Sequence, residues 1–203
     1  MKKVILFSLL LATPLAQAAD RLEPIQQQWA HCQYQLAEDR REDCLAALSI
    51  KADLASSANP KRTDLLIWSA IVKSTWAGAK GGLGALKLVK DAKSRLERAL
   101  KQDDKALDGS AYTSLGSLYY QVPGWPVGFG DDDQAEQLLR KALVVNPDGI
   151  DPNFFYGDFL LQQGKAGEAK AYLNKALQAA PRPGRELADM GRRKEIERRL
   201  ESL

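Results

Sequence analysis

The fold of this chain is decided by the stretch YGDFLLQQGKAGEAKAYLNKALQAAP, which occupies residues 156–181. Four of its positions repeat an earlier set at a constant distance of 34 residues: Ala135, Leu139, Ala142 and Pro147 return as Ala169, Leu173, Ala176 and Pro181. Spacings of four and then three residues place the alanine, leucine and alanine of each set on one face of a helix. Small side chains on that face let two helix backbones approach closely, and the leucine fills the remaining space.

Each set follows a first helix that carries a glycine next to apolar residues, namely Gly116 and Gly157. Gly164 separates the two helices of the later repeat, and a glycine there suits the left-handed C-cap of a helix. Pro181 cannot extend the second helix, so we expect that helix to end at this proline. A helical hairpin that recurs every 34 residues with these positions is typical of tetratricopeptide repeats. The chain resembles that family over about residues 110–181.

The rest of the chain extends the pattern toward both ends. Ala92, Leu96 and Ala99 repeat the spacing of four and then three residues, so they indicate a degenerate repeat. We predict clear repeats over about 110–147 and 151–181, degenerate repeats over about 22–58 and 62–104, and a solvated, charged capping helix over 185–203. The predicted fold is all-α, with about four hairpins in a right-handed solenoid that forms one domain over residues 19–203.

The N-terminus has the pattern of a secretory signal peptide over residues 1–18. Lys2 and Lys3 precede a short apolar run, and Ala16-Gln17-Ala18 is a small-x-small cleavage site. We expect cleavage before Ala19, a periplasmic location and no stable membrane insertion afterwards, because the apolar run is shorter than a transmembrane helix. Removal of the two lysines lowers the formal net charge from +3 to +1. This near-neutral charge gives no support for nucleic-acid binding.

The two cysteines are a candidate disulfide if the chain enters an oxidising compartment. Cys32 and Cys44 are twelve residues apart, and we place them on the two helices of the first hairpin with a turn near residues 38–41. A bond there would contribute on the order of 2–3 kcal/mol to stability. Two separately buried thiols are the alternative. No metal site or cofactor is predicted, because the only histidine, His31, lacks a set of partners at metal-ligand spacing.

Two irregular segments interrupt the repeats. Residues 121–131 contain seven residues more than the later repeat, and their prolines and glycines rule out a helix. Trp125 and Phe129 in this insertion are costly to leave in water, so we expect them to pack on neighbouring helices, to form a binding lip, or both. The glycine-rich linker over residues 78–84 lacks the phosphate-loop motif and predicts a sharp turn, with an anion site at the following helix as the alternative. Because each segment joins the two helices of one hairpin, we hypothesise that both shape one pocket.

No catalytic residue is predicted, since neither a Ser-x-x-Lys nor a Gly-x-Ser-x-Gly motif accompanies the single histidine. An exported chain with these repeats and three further segments, residues 81–84, 122–131 and 146–153, resembles periplasmic tetratricopeptide repeat proteins of Gram-negative bacteria. This resemblance implies a non-enzymatic adaptor for an unidentified periplasmic protein or peptide. The layout and the insertion also resemble the T component of TRAP transporters, which implies a small-ligand-binding accessory protein of a transport system. An envelope enzyme is the third hypothesis.

For the first two hypotheses, the candidate binding residues are aromatic side chains close to the insertion or at the start of the last repeat. They are Tyr119, Tyr120, Trp125, Phe129, Phe155 and Tyr156.

Overall fold

Helices make up most of the chain that the structure describes. The computed structural model describes the backbone of residues 14–203 and the side chains from Leu22 onward, so residues 1–13 of the predicted signal peptide lie outside the described residues. The described range contains nine α-helices: α1 (Pro14–Tyr34), α2 (Glu38–Ala58), α3 (Thr63–Lys80), α4 (Gly82–Gln102), α5 (Ala106–Gln121), α6 (Asp132–Val145), α7 (Ile150–Gln162), α8 (Ala166–Leu177) and α9 (Glu186–Glu201). The predicted all-α repeat fold is confirmed. In this part of the chain, none of the helices combines the length and the hydrophobicity of a membrane span.

The helices form four consecutive hairpins and a final single helix that closes a ring. α1 pairs with α2, α3 with α4, α5 with α6, and α7 with α8. Each odd-numbered helix also contacts the next odd-numbered helix, whereas in the described residues the even-numbered helices contact only their neighbours along the chain. α9 contacts α7 and α8 and also returns to α1. The five odd-numbered helices therefore surround a central lumen.

The repeated glycines mark the closest approach of the two helices within a hairpin. A Cβ atom placed on Gly116 would lie 2.8 Å from Leu139 Cγ, and one placed on Gly157 would lie 2.9 Å from Leu173 Cγ. Both leucines are fully buried, so each fills the space that its glycine leaves. The degenerate repeat follows the same packing rule, since its three pattern positions are fully buried as well: Ala92, Leu96 and Ala99.

The observed turns agree only in part with the turns predicted from the sequence. Gly164 has a φ of +72°, which confirms the left-handed C-cap between α7 and α8. The predicted first turn lies too late in the chain, because residues 38–41 begin α2, where Glu38 and Asp39 are favoured at a helix N-terminus. Between α3 and α4 only Gly81 lies outside the helices, whereas residue 78 belongs to α3 and residues 82 and 84 belong to α4. The helix α8 ends at Leu177, well before the proline.

The C-terminal helix α9 caps the repeats as predicted, but one of its faces packs against the ring, so it is less solvated than expected. It buries Ala188 and Ile196 together with the charged residues Asp189 and Arg192. Arg193 donates hydrogen bonds to the carbonyl oxygens of residues 177 and 179. These contacts satisfy carbonyl groups that the end of α8 leaves unpaired. The charges of α9 are thus used for docking onto α1, α7 and α8.

Cys32 on α1 and Cys44 on α2 form a disulfide bond, with their Cα atoms 5.7 Å apart. The bond joins the two helices of the first hairpin. Because α1 is also the helix to which α9 returns, the disulfide strengthens the hairpin on which the ring closes.

Candidate functional site: the lumen of the helical ring

A cavity of about 1260 Å³ occupies the lumen of the ring. Its wall includes Trp29 from α1, Trp68 from α3, Ser114 from α5, Phe155 from α7 and Arg185, the residue that precedes α9. The volume exceeds the roughly 300–1,000 Å³ of most small-molecule pockets. The lumen is therefore large enough for a segment of polypeptide.

One part of the wall is a stripe of small polar side chains on α5. Ser110, Ser114, Ser117 and Gln121 all line the lumen, at spacings that place them on one face of the helix. Ser110 Oγ donates to the carbonyl oxygen of Leu107, and Ser117 Oγ donates to that of Ser114. Hydroxyl oxygens that donate in this way can still accept hydrogen bonds. The stripe therefore offers acceptors, and at Gln121 also donors, to a bound molecule.

A second part of the wall is aromatic. Trp29 and Trp68 pack edge to face with their ring centroids 5.7 Å apart. The indole N–H of Trp29 donates to Thr75 Oγ1 over 2.9 Å, so its polar group is satisfied. Both indoles are largely buried, at 7% and 3% exposure. Together with Ile71, they give the lumen a rigid apolar surface.

An ion-pair network around Asp151 holds α9 in place. The Asp151 carboxylate accepts hydrogen bonds from Arg182 over 2.6 Å and from Arg192 over 2.9 Å. Arg182 also pairs with Asp189, and Arg192 also pairs with Glu195. Burial by itself would raise the pKa of Asp151, but the two arginines outweigh it and hold the pKa well below its usual range. Asp151 is therefore ionised at neutral pH and ties the first turn of α7 to α9.

Tyr34 completes the closure of the ring between α1 and α9. Its aromatic ring lies so close to Gly191 that an added Cβ would overlap the ring atoms. Its hydroxyl oxygen lies 3.5 Å from Glu195 Oε2. Burial, and then the negative charge of Glu195, raise the pKa of Tyr34, so the hydroxyl stays protonated and acts as the donor. Only glycine fits at position 191 if this contact is to form.

The six predicted aromatic residues do not come together in one site. Tyr120 and Tyr156 are buried in the core of the last two hairpins, at 8% and 1% exposure. The hydroxyl of Tyr120 donates to Asp158 over 2.8 Å. Packing accounts for both tyrosines. Of the six, only Phe155 is part of the wall of the lumen.

Of the two aromatic side chains in the insertion, Phe129 is packed and Trp125 is exposed. Phe129 packs edge to face on Tyr119 with ring centroids 5.5 Å apart, and Lys93 Nζ lies 5.6 Å from both centroids. This cation–π arrangement stabilises the folded-back part of the insertion. Trp125, in contrast, is 90% exposed. Asp131 accepts a hydrogen bond from the N–H of residue 134 and so caps the N-terminus of α6.

The glycine turn and the insertion border the same cavity, as hypothesised from the sequence. Leu83 follows the glycine turn and Val127 belongs to the insertion, and both line the lumen. They are 83% and 52% exposed. Because these side chains line the lumen and yet remain open to solvent, they mark one of its openings.

Several residues of the lumen cannot be recognised from the apolar and charged patterns of the sequence. Those patterns place Ile71 on the apolar face of a helix, give no separate role to Trp68, and place Arg192 on a solvated surface. Two signals could have found the site. One is the polar stripe on the otherwise apolar helix α5. The other is Gly191 within a charged helix, since a glycine inside a helix often marks a close contact.

Comparison with known proteins identifies the repeats. Residues 128–190 match the family model of the tetratricopeptide repeat. The crystal structure of a thermophilic tetratricopeptide repeat protein of Thermus thermophilus is similar, with a TM-score of 0.59 and 22% identity over 90% of this chain and 87% of that chain. A structure of PilF from Pseudomonas aeruginosa covers 92% of this chain and 90% of its own, at 15% identity and a TM-score of 0.37. No curated protein matches the sequence. Residues 128–190 therefore match the tetratricopeptide repeat family, and the described chain as a whole has the helical-hairpin fold of the similar Thermus thermophilus structure.

Proposed function

We propose that this protein is a non-enzymatic periplasmic adaptor that binds an extended segment of a partner protein inside its lumen. Stacked helical hairpins are protein-interaction modules, because they present long concave surfaces. The observation that carries the proposal is the lumen, in which a polar stripe and an aromatic surface line one cavity of about 1260 Å³.

The dimensions of the polar stripe suit a peptide backbone. From Ser110 to Gln121 the stripe runs about 16 Å along α5, at 1.5 Å per residue. About five residues of extended chain cover the same length, at roughly 3.3 Å per residue. The stripe can hydrogen-bond the amide groups of such a segment, while Ile71, Trp68 and Phe155 accept its apolar side chains. A segment of mixed polarity is therefore the expected occupant.

Two features support a periplasmic location. The N-terminal sequence has the basic start, apolar run and cleavage site of a signal peptide. The Cys32–Cys44 disulfide fits the same compartment, since disulfides persist where thiols are not kept reduced. Fractionation of the native host should recover the protein with the periplasmic contents and without residues 1–18. Recovery of uncleaved protein from the cytosol would contradict this location.

The binding proposal is tested by blocking the lumen. Ser114→Trp places a large side chain in the wall of the cavity, whereas Gln137→Trp places the same side chain on the exposed surface of α6. Partners are captured from periplasmic extract by cross-linking and quantified by mass spectrometry. We expect Ser114→Trp to lose the partners that the wild type and Gln137→Trp retain. Equal capture by both variants, at equal thermal midpoints, would show that the partner binds elsewhere.

The closure of the ring favours a second candidate, a small-ligand-binding accessory protein of a transport system. Because α9 returns to α1, the lumen is enclosed on its sides and a ligand enters from an open end. Native mass spectrometry of protein purified from its host separates the two candidates. A discrete small added mass that Ser114→Trp abolishes would support the second candidate and contradict the first.

A further inference from the structure

Arg185 places a cation in the wall of the lumen, and no acidic side chain of the described chain forms an ion pair with it. Among the described residues, no side chain or carbonyl group accepts a hydrogen bond from its guanidinium, and its Nε is buried without an acceptor. Its Cζ lies 4.7 Å from the ring centroid of Trp68, so the guanidinium lies over the indole in a cation–π contact. Arg182, its neighbour, is instead paired with Asp151 and Asp189.

The surroundings of Arg185 leave its charge under-compensated. Burial, and then the like charge of Arg182, lower the pKa of Arg185, although Asp151 and Asp189 act in the opposite direction. Those carboxylates accept hydrogen bonds from other arginines. A buried guanidinium donor without an acceptor is unfavourable. The cation–π contact with Trp68 holds the group beside the indole, but it provides no hydrogen-bond acceptor.

We propose that Arg185, which lies in the lumen wall and in cation–π contact with Trp68, binds a carboxylate group of the peptide segment that occupies the lumen. This inference rests on the proposed function, because it assigns a chemical class to the same occupant. The planar guanidinium matches a carboxylate through two parallel hydrogen bonds, and the cation–π contact with Trp68 holds it beside the indole. Ile71 and Trp68 lie on the same wall and accept the apolar part of the residue that carries the carboxylate.

The test follows the Nε–Hε resonance of Arg185 by NMR in the ¹⁵N-labelled protein, assigned by its loss in Arg185→Lys. Three probes are titrated at constant ionic strength. N-acetyl-glutamate N-methylamide carries a peptide carboxylate, its glutamine counterpart is the neutral isostere, and propionate carries a carboxylate without a peptide. We expect the glutamate probe to shift the resonance saturably, and to bind about ten-fold more tightly than the glutamine probe, the ratio that one charge-assisted hydrogen bond gives.

Three outcomes would overturn the proposal. The first is no shift with the glutamate probe, and the second is equal binding of the glutamate and glutamine probes. The third is a shift with propionate alone, which would assign the site to small acids instead of peptides.

A matched variant separates a specific site from general attraction. Arg41 also lines the lumen and donates to the carbonyl oxygen of Leu36, so Arg41→Gln removes a lumen cation without touching Arg185. We expect Arg41→Gln to keep the preference for the glutamate probe and Arg185→Gln to abolish it, both read from the resonances of lumen backbone amides. Equal loss in both variants would overturn the assignment to Arg185. If Arg185→Gln does not fold, Arg185→Lys serves instead, because it keeps the charge and loses the two-pronged geometry.

Failure of this inference is distinguishable from failure of the proposed function. If Ser114→Trp abolishes partner capture and Arg185 does not respond to the glutamate probe, the lumen binds a partner and only the carboxylate assignment is wrong. If Arg185 responds and Ser114→Trp retains every partner, the proposed function is wrong.

Discussion

Replacing Gly157 by alanine should destabilise the protein, even though alanine is the better helix former. Gly157 lies inside α7, where the change would by itself stabilise by about 0.5–1 kcal/mol. The added Cβ would lie 2.9 Å from Leu173 Cγ and 3.3 Å from the carbonyl oxygen of Ala169. Leu173 is fully buried and Ala169 contributes backbone, so α7 and α8 must move apart. Overpacking costs about 1–3 kcal/mol, which leaves a net loss of about 1 kcal/mol.

Two further variants isolate the close contact. Gly78→Ala is the matched control, because Gly78 also lies in a helix and its added Cβ would meet no atom within 4 Å. This change should stabilise by about 0.5–1 kcal/mol. Leu173→Ala removes the atoms nearest to the new Cβ, at a cost of about 2–5 kcal/mol. On that background Gly157→Ala should become nearly neutral, so the two changes are coupled by about 1 kcal/mol.

The measurement is urea unfolding at 25 °C, followed by far-UV circular dichroism, for the wild type, the three single variants and the Gly157→Ala/Leu173→Ala double variant. Opposite signs for Gly157→Ala and Gly78→Ala are expected. If both changes stabilised the protein equally, close approach at the repeated glycine would not be what holds the hairpin together. If the double variant showed no coupling, the backbone of α8 and not Leu173 would set the limit.

Three other changes test the ring closure, the disulfide and the insertion. Asp151→Asn should lower the free energy of unfolding at pH 7 by about 3 kcal/mol, the lower end of the cost of losing one partner from a buried ion pair, because this network is only partly buried. Because the native pKa of Asp151 lies below its unfolded value, its contribution to stability is complete above about pH 4 and declines as the pH falls toward the native pKa. If the difference in urea midpoint between the wild type and Asp151→Asn already shrank between pH 7 and pH 5, this reasoning would be wrong. In the double variant Cys32→Ser/Cys44→Ser the free energy of unfolding should fall by about 2–3 kcal/mol, because the two cysteines are twelve residues apart. If reductant left the thermal midpoint of the wild type unchanged, this would be inconsistent with the bond. Trp125→Ala should leave the thermal midpoint unchanged, because the side chain is 90% exposed. Phe129→Ala should lower the free energy of unfolding by about 1 kcal/mol, because it loses the aromatic contact with Tyr119. Equal thermal midpoints for the two variants would refute the different roles of these two side chains.

The hairpins could be predicted from the sequence because their packing depends on residues close together in the chain. Gly157, Ala169 and Leu173 lie within one repeat, and the helical period alone places them at one interface. The same local reasoning found the left-handed turn at Gly164. It failed at the glycine-rich turn, because glycines 78 and 84 are tolerated inside helices when the neighbouring residues favour them.

The candidate site could be predicted only in part. The sequence drew attention to the insertion, and the insertion does border the lumen. It could not separate Tyr156, which is buried between hairpins, from Phe155, its neighbour on the lumen wall. Adjacent helical positions differ by about 100° in direction, and the direction of the lumen is not encoded in the apolar pattern of a helix that is covered on several sides.

By itself the sequence therefore determined a stack of helical hairpins, each held by its own small and large residues. Only the tertiary structure decided that the stack closes into a ring, because closure brings Tyr34 against Gly191 across most of the chain. The small rotation from each hairpin to the next adds up over four repeats, and no local pattern records the sum. That closure buries the charges of α9 and encloses the lumen, and it brings Arg185 to the indole of Trp68.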